Sequence, residues 1–368
     1  MNSDYEEQDV RRLTPCLDRR RLLRGMLAAG AAGPSFLAFA QALAAAPADT
    51  AGQLTILIQG GPVGDALRAV ANPMFAKAYP KVSIDLNTST NSAAFPRMIA
   101  QRKNPVIGGG MFNDLFAARG MISKIWAPLD PQFVTNAVHV PKAVRIPDSQ
   151  GVTVQQTPFG IMYNPDRVEA PTSWTDLWNP KYRGRVSMYD SYFDAYAMAS
   201  VASGGKPSVE DGIRAWAPHR ENIGVWSAGP TSEQDMVHRG EVWLAPHWGG
   251  WVEQARFQGK NVRFALPKEG ATLWSNQIQS VEGFSPLVTE LVQRYLNTWL
   301  SPECQEAWLT QAAISPAIGT LHIPAELRDN PAIVRPEDVG SKLIRVDATY
   351  IATNFAQIQQ LIQRTLKV

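Results

Sequence analysis

The sequence predicts an α/β protein made of two doubly wound units. Three observations carry this. The chain has 368 residues, enough for two domains, and 45% of them are hydrophobic against 18% charged, a balance that fits packed cores. Short apolar runs alternate with helix-period segments over the first hundred residues after an N-terminal leader, the pattern of a parallel sheet with crossover helices. That alternation restarts near Val186, beyond a strand-rich passage at 151–164.

The leader reads as a targeting segment. Asp18-Arg19-Arg20-Arg21-Leu22-Leu23-Arg24 carries a twin arginine. An apolar, small-residue stretch follows from Gly25 to Ala40, then an Ala-x-Ala cleavage signal at Ala42-Leu43-Ala44. The expectation is a twin-arginine signal peptide over residues 1–46, cut near Ala44 or Ala46, and export to the periplasm. An uncleaved anchor is the competing reading, but the stretch is short and rich in Ala and Gly for a permanent span. Cys16 precedes the apolar stretch, so it is misplaced for lipidation. Cys304 then stands alone and cannot form an internal disulfide. Its helical setting, Pro302 to Trp308, predicts a half-buried structural thiol.

The elements follow in order. Leu54–Ile58 is a buried strand stopped by Gln59-Gly60-Gly61-Pro62. Leu67, Val70, Met74, Phe75 and Ala78 give Asp65–Tyr79 helical spacing. Val82–Leu86 reads as a strand, Ala93–Arg102 as a helix, and Asp114–Ala117 as a third strand. In the second unit Ser173 caps a short helix that Pro180 stops. Val186–Tyr189 reads as a strand, and Asp190-Ser191 as the cap of the helix after it. Helices are expected at 209–219, and at 231–239 with Thr231 and Gln234 spaced as a capping box. Pro286–Leu300, Cys304–Ala313 and Tyr350–Leu366 are amphipathic helices.

Gly240–Asn276 is the stretch richest in tryptophan, with Trp243, Trp248, Trp251 and Trp274. Two apolar runs, Val242–Ala245 and Val262–Leu266, flank an amphipathic segment, and glycines sit beside Trp248. The composition is that of a small-molecule pocket.

Net charge is +2, with no basic run outside the leader, so nothing marks a nucleic-acid interface. His139, His219, His238, His247 and His322 are scattered without metal-ligand spacing. Gly108-Gly109-Gly110 lacks the Lys-Ser/Thr of a phosphate loop. No cofactor, metal or catalytic set is expected.

Ser173-Trp174-Thr175-Asp176-Leu177-Trp178-Asn179-Pro180-Lys181-Tyr182-Arg183-Gly184 resembles a signature of extracellular solute-binding proteins of the spermidine/putrescine type. Gly240-Glu241-Val242, Trp248 and Pro267-Lys268-Glu269-Gly270 match the same family in order. The resemblance implies a bilobal periplasmic-binding-protein fold, two α/β lobes joined by crossovers near Pro158–Asn164 and Phe264–Gln277. It implies lobe 1 at 50–160 and 270–320, and lobe 2 at 161–269 and 321–368. It also implies a monomeric, non-enzymatic receptor that closes on a small-molecule ligand and passes it to an ABC permease in the inner membrane.

Polyamine binders hold ammonium groups with carboxylates and clamp the chain between aromatic faces. By resemblance, Trp248, Trp274 and Asp194 become candidate ligand contacts, with Asp190, Ser191, Tyr192 and Asn276 beside them. Trp248 also reads as core, Asp190 as a plain N-cap, and Asp194 as an acid favoured in a helix's first turn. Trp243 and Trp251 read as packing, and His247 as a structural histidine or, beside Trp248, as a residue lining the cleft.

Two departures bear on the ligand. Gly249-Gly250-Trp251 and Asn276 stand where polyamine receptors keep acids, and Gln59-Gly60-Gly61-Pro62 replaces their aromatic, acidic first loop. A polyamine would leave an ammonium unpaired, which is costly. The expectation is therefore a monoamine, ω-amino acid or polyamine-like solute, with backbone N–H groups at Gly60–Gly64 or Thr231–Glu233, or an arginine that the sequence does not place, as carboxylate holder. The alternative is a small anionic solute bound at those glycine-rich helix starts.

Overall fold

Strand β1 (Gly52–Ile58) pairs in parallel with β2 (Val82–Thr88) and with β3 (Gly109–Asn113). A computed structural model describes residues 47–146 and 149–368, so the leader expected at 1–46 lies outside the described residues. Between β1 and β2 runs helix α1, Pro62–Ala66 passing through a π turn, Leu67–Ala71, into Asn72–Ala78. Helix α2 (Asn91–Ala100) is capped by the Thr90 hydroxyl and holds Pro96 within it.

The expected strand at Asp114–Ala117 is instead the start of helix α3 (Asp114–Ile122). Two local reasons fix this. Asn113 Oδ1 accepts from the Phe116 N–H at 3.1 Å, an N-cap that turns the chain out of the sheet. The strand itself lies in the glycine-rich residues just before, where β1 comes too close for a side chain. A Cβ on Gly110 would stand 2.2 Å from the Leu57 carbonyl oxygen.

The long strands β5 (Val152–Tyr163) and β10 (Ala271–Val281) join the halves. Short β4 (Trp126–Ala127) pairs with β10. Beyond β5 come β6 (Val186–Met188), α4 (Phe193–Ala202), α5 (Val209–Trp216) and β7 (Ile223–Trp226). Then follow α6 (Pro230–Arg239), β8 (Leu244–Trp248), α7 (Gly249–Phe257) and β9 (Arg263–Ala265). After β10 the chain forms α8 (Pro286–Thr298), α9 (Pro302–Ala312), β11 (Ser315–Pro316), β12 (Leu343–Ile344) and α10 (Ala348–Leu366).

The strand order is β2-β1-β3-β10-β5-β8-β6-β7. Residues 276–280 of β10 pair antiparallel with β3, and residues 159–163 of β5 pair antiparallel with β8. The two strands pair with each other in between, with a register shift at Asn276/Gln277. The sheet therefore divides at this crossing into the two lobes of a bilobal α/β fold. One core gathers Ile56, Phe75, Tyr295, Trp299 and Trp308. The other gathers Trp174, Met188, Tyr196, Trp216 and Ile362.

The crossing is polar inside. Gln155, Gln156, Asn276, Gln277 and Gln279 are all buried. Asn276 Nδ2 donates to Gln155 Oε1 at 3.0 Å, while Gln155 Nε2, Gln156 Oε1, Asn276 Oδ1 and Gln279 Oε1 meet no protein partner. Asn276 is thereby placed in this interior layer and not on a ligand-facing surface, because the bulge turns its amide toward β5.

Other expectations need correction. Cys304 is fully buried in the first core, not half-buried, and burial pushes its thiol far up. Helix α4 starts after Tyr192 and has no side-chain cap from Asp190 or Ser191. Helix α6 starts at Pro230 on Gly229, again with no side-chain cap, so the Thr231–Gln234 box does not form. The Ser173 cap does form, and Asp176 completes it as a capping box. The terminal helix α10 packs on α5 of the second lobe and also on α3 of the first.

Candidate functional site

In open parallel sheets, crevices form outside the carboxyl ends of the strands. Here those ends converge from both lobes. After β1 comes Gln59-Gly60-Gly61, after β2 Ser89 and Thr90, and at the end of β3 Asn113, followed by Asp114. The second lobe contributes Tyr189 and Ser191 after β6, and Trp248 at the end of β8. Between them lies a cavity of about 740 Å³, a size suited to a small organic molecule.

One wall is polar and glycine-rich. Gly61 has φ +67°, a left-handed conformation that lets the chain turn from β1 into α1. Gly60 lies against Thr88, where a Cβ would sit 2.8 Å from the Thr88 methyl. Asn91 ties this wall together. Its Nδ2 donates to the Met111 carbonyl at 3.0 Å and its Oδ1 accepts from the Asn113 N–H at 2.9 Å.

The opposite side is aromatic. The Trp248, Trp251 and Trp274 rings contact one another, with centroids 5.4, 5.3 and 5.0 Å apart in pairs. Tyr192 packs edge-on behind Trp248 at 5.2 Å and is fully buried. It supports the wall and does not line it. Its hydroxyl lies beside Glu233, a wholly buried acid that accepts from the Ser187 hydroxyl at 2.8 Å. Burial pushes the Glu233 carboxyl up to about 8, against the pull of the hydroxyls around it. His247 is also buried behind Trp248, pulled down to about 4 by desolvation, and so is neutral and structural.

Two carboxyls reach the cleft. Asp194, in the first turn of α4, lies near the Thr272 hydroxyl, and burial raises it above the usual carboxylate range. Asp114 opens α3 from the facing lobe. Burial pushes it up to about 7, partly offset by Arg345 and reinforced by the charge of Asp194. Arg345 is only loosely engaged with it, at 3.6 Å. The same guanidinium is held more closely by Ser275 Oγ at 2.9 Å and the Val144 carbonyl at 3.0 Å. Asp114 Oδ1 has no protein partner.

Of the residues expected from sequence, Trp248, Trp274, Asp194, Ser191, Gly60 and Gly61 come together on this cavity. Asp190 does not. Its carboxylate pairs with Lys367 at 2.8 Å, and that ammonium also lies over the Trp226 ring at 4.4 Å. Tyr192 and Asn276 lie off the cleft, as described. The sequence reading missed Asp114, Arg119 and Trp251, all on the cavity wall. Asn113-Asp114 was a legible N-cap and first-turn acid. Trp251 had no distinguishing signal, since its helical spacing fits packing equally.

Comparison with known proteins agrees with this architecture. A solved structure of a periplasmic binding protein from Actinobacillus pleuropneumoniae with fructose-6-phosphate bound superposes with a TM-score of 0.70 at 15% identity, covering 87% of this chain and 100% of that one. A binding protein from A. tumefaciens R10 in complex with agropinic acid gives 0.69 at 18% identity, with 87% and 100% covered. The spermidine/putrescine-binding periplasmic protein of Escherichia coli (strain K12) is 27% identical over 188 residues, 47% of this chain and 52% of that protein. The chain thus spans about half the length of the curated relatives it matches. Fold and family are those of non-catalytic binding proteins. The family pattern described as bacterial extracellular solute-binding protein matches residues 95–354, well over half the sequence, and the chain belongs to that family.

Proposed function

We propose that the protein captures a small amine-bearing solute in the interlobe cleft and delivers it to an ABC permease of the inner membrane. The observation that carries this is the pair of cleft carboxyls, Asp114 and Asp194, beside three mutually packed indoles. An ammonium entering the cleft meets acceptors that are poorly compensated by protein cations, and its alkyl chain meets aromatic faces. The E. coli relative is named for spermidine and putrescine, and its shared ligand chemistry is the ammonium group. Export by the twin-arginine route and a periplasmic location follow from the leader residues Asp18–Ala44. In this reading the segments near 50–160 and 270–320 form one lobe and close on those near 161–269 and 321–368, which form the other.

A second reading has its own support. Helices α1 and α6 both open toward the cleft on glycine, without a side-chain cap, leaving backbone N–H groups for an anionic solute. Calorimetry with matched n-alkylamines, ω-amino acids, diamines and n-alkylcarboxylates separates the two. Amine-bearing compounds bind and Asp194→Asn weakens them at least tenfold if the first reading holds. Tight carboxylate binding without amine binding would establish the second.

A further inference from the structure

One cleft residue plays no part in the ammonium site. Arg119 lies five residues along α3 from Asp114, about 7.5 Å of helix axis. It lines the same cavity, as do Ile351 and Phe355 of α10. Its guanidinium carbon is 5.1 Å from the Phe95 ring centroid, 5.2 Å from Phe116 and 5.4 Å from Phe355. Among the described residues it has no ion-pair partner.

Three phenyl faces hold this cation and contribute no hydrogen-bond acceptor. Ring faces attract a guanidinium but leave its N–H donors unmatched. A half-buried fork of donors on a cavity wall suits a carboxylate, which takes two parallel N–H bonds in one plane. The acids and the arginine then stand at separate places on one cavity, with apolar wall between them.

We infer that Arg119 is the carboxylate subsite of the cleft, and that the solute is a zwitterion with its ammonium at Asp114 and Asp194 and its carboxylate at Arg119. This rests on the ammonium reading above and narrows it from amines in general to ω-amino acids. The chain linking the charges has several methylenes, because Asp114 and Arg119 stand five residues apart on α3 and project about 140° apart around its axis. It lies along Leu115, Phe193 and Ile351.

The test is calorimetry on the exported, full-length mature protein with ω-amino acids from aminobutanoate to aminohexanoate. The n-alkylamines of equal length serve as controls. The wild type is expected to bind the best amino acid at least tenfold tighter than the matched amine. Arg119→Gln should bring amino-acid affinity down to the amine level and leave amine affinity unchanged. Arg119→Lys, which keeps the charge and loses the fork, should fall between. Equal losses for amine and amino acid in Arg119→Gln would make the residue a structural clamp and overturn the inference, leaving the ammonium reading intact. So would a wild type that binds amine as tightly as amino acid. Failure of both compound classes, with n-alkylcarboxylates still binding, would remove the ammonium reading and this inference with it. Thermal melts of both variants serve as the folding control.

Discussion

The two walls of the cleft are built from different materials. The wall on β1, β2 and α2 is backbone, glycine and short polar side chains: Gly60, Gly61, Ser89, Thr90 and Ser92. The wall on β8, α7 and β10 is three indoles backed by Tyr192 and Phe159. Large aromatic faces supply contact area at little conformational cost, whereas small polar groups supply direction. The difference assigns grip to the aromatic wall and fit to the polar one. The charged groups on the cavity are Asp114, Asp194, Arg119 and Lys260, and of these Lys260 is already paired with Asp235 at 2.8 Å.

The largest test of this division is Trp248→Ala. Ligand affinity, measured with the tightest compound of the calorimetric panel, is expected to fall at least a hundredfold, on the order of 3 kcal/mol. Ser89→Ala, on the polar wall, should change it less than threefold. Equal losses in the two variants would break the comparison.

Behind the aromatic wall, Glu233 gives the next effect. Its folded pKa, about 8, lies above its ordinary value of 4.5, so the native state holds a proton that the unfolded chain releases. The stability it contributes is fully present below about 4.5 and is lost as pH rises through about 8. Glu233→Gln keeps an acceptor for Ser187 and removes the ionisation. Urea denaturation should show the variant more stable than wild type at pH 9, by on the order of 2 kcal/mol, and a flatter pH dependence. A variant with the wild-type slope would remove Glu233 from the account.

Asp114 sharpens the picture between the walls. A cation binds best when this carboxyl is ionised. Raised to about 7, it is partly protonated near neutrality. Amine affinity should therefore fall by up to about tenfold per pH unit below 7 and level off above it. Asp114→Asn should lose that slope. A wild-type profile flat from pH 5 to 8 would take Asp114 out of the site.

A last effect falls on the polar wall's own stability. Gly61→Ala forces a Cβ into φ +67°, in open space with no clash. The cost is strain alone, since φ +67° with ψ −151° is a backbone region essentially reserved for glycine, about 1–3 kcal/mol in a thermal or urea melt.

Much of the fold was legible because it rests on local patterns. The apolar run Leu54–Ile58, the spacing through Phe75 and the Ser173 cap each declare their element within a few residues. The misreading at Asp114–Ala117 shows the limit of such patterns. Leu115, Phe116 and Ala117 are apolar enough for a strand, while the true strand contains two glycines that only make sense once β1 is seen beside them. Asp190 illustrates a second limit. Its partner Lys367 lies 177 residues away, and nothing near either residue announces the other. Asn276 illustrates a third, since alternation along β10 cannot say which face a bulge will turn inward. Trp248 and Asp194 were nameable because a motif carried them, and Arg119 was not because none did.

The double seat of helix α10 has a mechanical consequence. A helix resting on α3 in one lobe and on α5 in the other cannot keep both seats through a wide hinge swing. If the lobes open as proposed, it must peel from one of them. The proposed stroke is then leashed by α10, and amide exchange along this helix should slow when solute is bound.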